Sequence, residues 1–181
     1  MTWEYLQTKD LDGRFLLASG YLHDKIVGKN IVDLNCGTAR LLLYLPQLYQ
    51  KYFANDITFV PIKNYPAVDF QKVTDGQFVS YLKDKKVDIF CLFGHGGGHL
   101  LPNTHESPTL TASAIQIIKD HQPKIVILEA CWDYVNNKRV LSDILDYGLE
   151  KEEYKIEQNI ILKPSGNYND LAKRQILILE K

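Results

Sequence analysis

The sequence is poor in cysteine. Cys36, Cys91 and Cys131 lie far apart, and no Cys-x-x-Cys pair occurs, which excludes a disulfide framework and a cysteine-held structural zinc. Each is read as a small buried hydrophobe. No apolar run approaches the length that spans a bilayer, and no membrane partner is expected. No dense Lys/Arg run is present and the net charge is −1, so nothing electrostatic points to nucleic acid. Proline, serine and glutamine show no bias toward disorder. Asn-x-Ser/Thr sequons are missing. The stretch Met1-Thr2-Trp3-Glu4-Tyr5 lacks the basic start and apolar core of a signal peptide, giving a cytoplasmic expectation.

What is present is alternation. Asn30 to Leu34 reads as a buried strand, followed at once by the small-residue turn Asn35-Cys36-Gly37-Thr38-Ala39 and a helical face of Leu41, Leu42, Leu45 and Leu48. Pro46 predicts a kink or early stop in that helix. Tyr52 to Ala54 is a second short strand ending at Asn55-Asp56, and Val68 to Val73 a third, running into a turn at Thr74-Asp75-Gly76. Phe78, Val79 and Leu82 form a helical stripe. Val87 to Phe93 is the clearest strand, almost wholly apolar as a doubly covered parallel strand should be. It opens into Gly94-His95-Gly96-Gly97-Gly98-His99. Thr109 to Asp120 predicts a helix capped by Thr109 or Thr111, and Lys124 to Leu128 a strand ending at Glu129 to Trp132. Arg139 to Tyr147 predicts a helix closed by Gly148. The strands Tyr154–Lys163 and Gln175–Glu180 read as an antiparallel hairpin around the turn-rich Pro164–Asp170.

These elements predict one α/β domain over residues 1–181: a doubly wound, mostly parallel sheet with a C-terminal antiparallel hairpin at one edge. Leu17, Tyr21 and Leu22 predict that residues 1–29 form a helical cover over a sheet edge, or a lid closing with Trp3 or Tyr5. Ligands of such sheets bind beyond the carboxyl ends of the strands. The turn after strand one lacks the Lys-Ser/Thr ending of a triphosphate loop and the three-glycine spacing of a pyrophosphate turn. Asp56 suits two ribose hydroxyls and would repel a 2′-phosphate. The Asp75-Gly76 pair could accept from an adenine amino group, or be an ordinary turn. A nucleoside without phosphates is the ligand these acids describe.

Asp33-x-Asn35-x-Gly37-x-Ala39, Asp56, Asp75 and the strand–helix order through a terminal hairpin resemble the class I S-adenosylmethionine-dependent methyltransferases, with a Rossmann-like fold. The resemblance spans about Tyr21 to Lys181. It implies S-adenosylmethionine as cofactor, with the Asp33–Ala39 turn beside its methionine part, Asp56 on the ribose and Asp75 near the adenine. The implied cofactor set is Asp33, Asn35, Cys36, Gly37, Ala39, Asp56, Ile57, Asp75, Gly76 and Phe93. Two positions depart from the family's glycines, Asn35 and Ala39. Asn adopts left-handed backbone readily and Ala adds one methyl. The loop after strand four occupies the family's methyl-acceptor side, where His95 and His99 could act as general bases toward an oxygen or nitrogen acceptor. The Asn/Asp-Pro-Pro-aromatic signature of amino-methylating enzymes is absent. A small-molecule acceptor is expected, with a protein partner or homo-oligomer left open.

Other readings of the same residues remain. Asp33 could simply brace its turn. His95, His99 and His105 could bind a metal, although loop spacing without Cys or carboxylate partners argues for no metal. Phe93-Gly94-His95-Gly96 and Glu129-Ala130-Cys131 also resemble the His-Gly and Ala-Cys motifs of caspase-like cysteine peptidases, in which His95 would turn the Cys131 thiol into a thiolate. A catalytically inert methyltransferase-fold partner domain is the third reading.

Overall fold

The computed structural model describes residues 13–93, 108–131, 149, 153–162 and 174–181. In chain order the described elements are α1 (Gly13–Leu22), β1 (Asn30–Leu34), a one-turn 3-10 helix (Arg40–Leu43), β2 (Lys51–Asn55), β3 (Val68–Gln71), α2 (Asp75–Tyr81), β4 (Ile89–Phe93), α3 (Pro108–His121), β5 (Ile125–Cys131), β6 (Lys155–Leu162) and β7 (Arg174–Glu180). The strands form one sheet in the order β3-β2-β1-β4-β5-β7-β6. The pairs β3/β2, β2/β1, β1/β4 and β4/β5 are parallel. β7 runs antiparallel to both of its neighbours. The expected doubly wound sheet with an antiparallel C-terminal pair is what the chain forms. The last strand is inserted between β5 and β6, so the fifth and sixth strands do not touch.

Alternation along the central strands sorts their side chains onto two faces. Val32, Phe53, Phe90 and Val126 turn toward α2 and α3, where Phe78, Leu110, Ala114 and Ile117 meet them. Ile31, Tyr52, Ile89 and Ile127 turn the other way, onto Phe15, Ala18 and Leu22 of α1 and Leu41 and Leu42 of the 3-10 turn. All five residues of β4 are buried, as its apolar run requires when both faces are covered.

Five expectations are corrected. α1 does not cover a sheet edge: Phe15, Ala18 and Leu22 share a core with strands from β2 to β7, so the helix lies on a face. The predicted helix from Arg40 to Tyr49 is only the single turn Arg40–Leu43. Pro46 has no N–H to continue a helix and biases Leu45 away from helical backbone. The chain instead returns to the foot of the sheet through Gly28 N–H to the Leu48 carbonyl (3.0 Å) and Gln50 N–H to the Lys29 carbonyl (2.8 Å). Leu48, expected on the buried face, is 54% exposed. The Thr74-Asp75-Gly76 turn is the start of α2. Neither Thr109 nor Thr111 caps α3, because the helix begins at Pro108 and includes both.

α2 starts where it does because of a capping box. The Thr74 side chain accepts from Gln77 N–H, and the Gln77 side chain accepts from Thr74 N–H. Thr74→Ala is therefore expected to lower stability by about 1 kcal/mol, measured as the urea midpoint at unchanged slope. An unmoved midpoint would show the cap to be energetically idle.

β5 runs three residues past the Leu128 end of its predicted strand, because β7 pairs with it continuously from Ile125 to Cys131. Glu129 thereby lies within a strand, not beyond one. The connection from β2 to β3 has no helix. It leaves Ile57, Phe59, Val60 and Ile62 each at least half exposed. The predicted helix Arg139–Tyr147 with Gly148, and the turn Pro164–Asp170, lie outside the described residues, as do Trp3 and Tyr5.

Candidate functional site

The turn after β1 is built from alternating left-handed residues: Asn35, Gly37 and Ala39 have φ of 53°, 59° and 55°. Glycine adopts this without penalty and asparagine with little. Ala39 pays on the order of 1 kcal/mol, and its fully buried methyl packs in the same core as Leu41 and Leu42. The two positions that depart from the resembled motif therefore keep the backbone shape that glycine would serve.

What holds this turn is the end of β2. Asn35 N–H donates to Asn55 Oδ1 (2.8 Å), Cys36 N–H to the Asn55 carbonyl (2.8 Å), and Gly37 N–H to Asp56 Oδ2 (2.9 Å). The other carboxylate oxygen, Asp56 Oδ1, accepts from Thr58 N–H and Phe59 N–H, both at 2.8 Å. Asp56 is thus a buried acceptor of three backbone donors, binding the β1 turn to the β2 turn. A carboxylate has about four lone-pair sites, so a ligand hydroxyl would meet what remains on Oδ2. Asn55 is fully buried, and its amide nitrogen donates to the Val73 carbonyl (3.2 Å) and Asp75 Oδ1 (2.9 Å). Asp75, in the first turn of α2, has its carboxyl raised chiefly by burial, with Asn55 opposing.

Asp33 lies deeper, 2% exposed, accepting from the Tyr52 hydroxyl at 2.5 Å. Burial pushes its carboxyl up to about 7; the Tyr52 bond lowers it and the nearby Asp56 charge raises it. The Cys36 and Cys91 thiols beside it are both pushed up, mainly by burial and then by the Asp33 charge. A small cavity of about 50 Å³ opens here, lined by Arg14, Phe15, Asp33, Asn35, Cys36, Gly37, Thr38, Arg40 and Phe93. Phe93 closes one wall, its ring 4.8 Å from that of Phe15. Arg14 Nη1 reaches 3.4 Å from the Oε2 of Glu129, which is fully buried.

Of the residues expected from sequence, Asp33, Asn35, Cys36, Gly37 and Phe93 line one cavity. Asp56 joins them directly through Gly37 N–H, and Asp75 through Asn55. Ile57 is 59% exposed beside Asp56, and Gly76 has open space around it. His95, His99, His105 and Trp132, and the side chain of Cys131, lie outside the described residues. Among the described residues no His, Cys, Asp or Glu group is arranged to hold a metal, and no helix is long and apolar enough to cross a membrane. Sequence reasoning missed Arg14, Arg40, Tyr52 and Asn55. Only Asn55 left a signal there, as the neighbour of a strand-end acid.

The fold is shared with solved proteins. No protein-family model and no curated protein sequence matches this chain. The N-methyltransferase NodS from Bradyrhizobium japonicum WM9 superposes with a TM-score of 0.65 at 8% identity, covering 96% of this chain and 96% of that one. This chain has the class I methyltransferase fold. Magnesium protoporphyrin IX methyltransferase (ChlM) from Synechocystis PCC 6803, solved with bound SAH, matches at a TM-score of 0.60 and 14% identity over 98% of this chain and 83% of that one. An rRNA methylase from Streptococcus thermophilus matches at 0.58 and 14% identity over 91% and 94%. One fold thus serves a porphyrin and an rRNA, so acceptor chemistry belongs to the site and not to the methyltransferase fold.

Proposed function

We propose that this chain is an S-adenosylmethionine-dependent methyltransferase acting on an oxygen or nitrogen atom of a small-molecule acceptor. The observation that carries the reading is the line of acids at one end of the sheet. Asp33 lies at the end of β1, Asp56 directly after β2 and Asp75 after β3; Asp56 accepts from Gly37 N–H of the β1 turn, and Asn55 joins that turn to Asp75. The donor set fits the cofactor. The cavity holds a carboxylate and two guanidinium-bearing residues, which suit the ammonium and carboxylate of an amino acid, and Asp56 and Asp75 suit the nucleoside. When bound, the cofactor supplies an electrophilic sulfonium methyl group. Asp33 and the Asn35–Ala39 turn would then hold the amino-acid end, Asp56 the ribose, and Ile57, Asp75 and Gly76 the base. Phe93 would exclude water from the reacting side. In-line transfer demands chiefly orientation, and His95 or His99 is proposed to take the acceptor's proton.

S-adenosylhomocysteine at a hundred times its dissociation constant should stabilise the fold by about 3 kcal/mol, a rise of roughly 5–10 °C in melting temperature for a chain of this size. If neither it nor S-adenosylmethionine moves the melting point at millimolar concentration, the reading fails.

One observation favours a second reading, a caspase-like cysteine peptidase. β4 and β5 are adjacent and parallel, with Phe93 opposite Glu129, and β5 ends at Cys131. In sequence, His95 follows Phe93 by the same two steps by which Cys131 follows Glu129. Labelling of Cys131 by a thiol-reactive peptide, lost on His95→Ala, would support the peptidase. Labelling indifferent to His95 would remove it.

A further inference from the structure

We infer that Tyr52 is a positioning residue for the cofactor turn: it holds the Asp33 carboxyl at the cavity so that an amino-acid ligand binds with release of one proton. The inference rests on the methyltransferase reading and adds a linkage that the reading does not require.

The geometry is that of a buried pair with one open side. Tyr52 is fully buried on β2 and donates to Asp33 at 2.5 Å, which fixes one carboxylate oxygen. Asp33 also lines the cavity with Arg14 and Arg40. The groups around it come from every neighbouring element: Tyr52 from β2, Cys91 from β4, Cys36 from its own turn and Asp56 after β2. Arg14 from α1 and Arg40 from the 3-10 turn share the cavity. Of the other carboxylates nearby, Asp56 accepts from three backbone donors and Glu129, on β5, faces Arg14 at 3.4 Å. Asp33 is therefore the carboxylate placed to meet an ammonium group there.

Burial makes the uncharged form of Asp33 competitive near neutrality, and the Tyr52 hydrogen bond favours the ionised form. An incoming ammonium pairs only with the ionised form. Where the carboxyl starts protonated, its O–H bond breaks, the proton passes to solvent, and the carboxylate pairs with the ligand. Tyr52 raises the fraction already ionised and so lowers the pH at which binding becomes strong.

The test is calorimetric titration of the full chain from pH 5.5 to 8.5 with two probes. S-adenosylhomocysteine carries the amino acid; 5′-methylthioadenosine has the same nucleoside without it. S-adenosylhomocysteine affinity should fall up to tenfold per pH unit below about 7, with proton release visible as a dependence on buffer ionisation enthalpy, while methylthioadenosine affinity stays flat. Tyr52→Phe keeps the buried ring. It should move the fall to higher pH, weakening S-adenosylhomocysteine several-fold at pH 7 and less than about threefold at pH 8.5, with methylthioadenosine unchanged. Asp33→Asn should bind S-adenosylhomocysteine weakly at every pH. A flat pH profile in the parent chain, or a Tyr52→Phe profile superimposable on it, would overturn the inference while leaving the cofactor reading intact. Binding of neither probe at any pH would overturn both.

Discussion

Replacing Asp56 with alanine should lower the melting temperature by roughly 10 °C and abolish S-adenosylhomocysteine binding. The carboxylate accepts from Gly37, Thr58 and Phe59 N–H, with every distance between 2.8 and 2.9 Å, and it is 5% exposed. Bonds to a charged acceptor are among the stronger ones, and truncation strands their donors out of reach of an equivalent partner. A loss of about 3–5 kcal/mol follows, which for a chain of this length corresponds to that fall in melting temperature. Asp56→Asn separates folding from binding. Its carbonyl oxygen can keep the Thr58 and Phe59 donors, but its amide nitrogen faces Gly37 N–H, so the expected loss is only about 1–3 kcal/mol. Thermal melts of both variants, read beside calorimetric affinity, check this. An Asp56→Ala protein melting with its parent would show that the carboxylate does not hold the two turns together.

The second large effect is a pH dependence of stability centred on Asp33. In the unfolded chain an aspartate ionises near 4, whereas in the fold burial moves this carboxyl to about 7. Between those values the folded state binds more protons than the unfolded one, so raising the pH favours unfolding. The contribution is fully present below about 4 and is lost as pH rises through about 7, at up to about 1.4 kcal/mol per pH unit. The amide of the Asp33→Asn variant carries no charge at any pH, so the difference between it and the parent isolates the effect. Urea unfolding from pH 4 to 9 should show the parent losing ground to Asp33→Asn across that window by a few kcal/mol, then running parallel above it. Curves parallel throughout would mean that Asp33 titrates in the fold as it does in the unfolded chain.

The sequence by itself determined the parts that follow from local pattern. The continuous apolar run of β4 demands cover on both faces, and strands alternating with helical stripes demand a parallel sheet with its ligand end at the strand termini. Asp33, Asn35, Gly37, Asp56 and Asp75 stood out as candidates because short polar and small residues at or near the ends of apolar runs have few other uses. Tertiary structure decided what pairing decides. β5 extends to Cys131 because β7, arriving last in the chain, supplies a partner along its whole length. The helix expected after β1 is reduced to one turn because Pro46 breaks its ladder and the returning chain bonds to the foot of β1. The acids, read singly as ligand contacts, are also bonded into the fold: Asp33 accepts from Tyr52, Asp56 from backbone donors, and Asn55 ties Asp75 to the β1 turn. Tyr52, one of two aromatics in a short apolar run, met its partner only when β2 was laid beside β1, placing its hydroxyl against Asp33. Hydrogen bonds between residues about twenty positions apart leave no periodicity in a sequence; only the fold brings the partners into range.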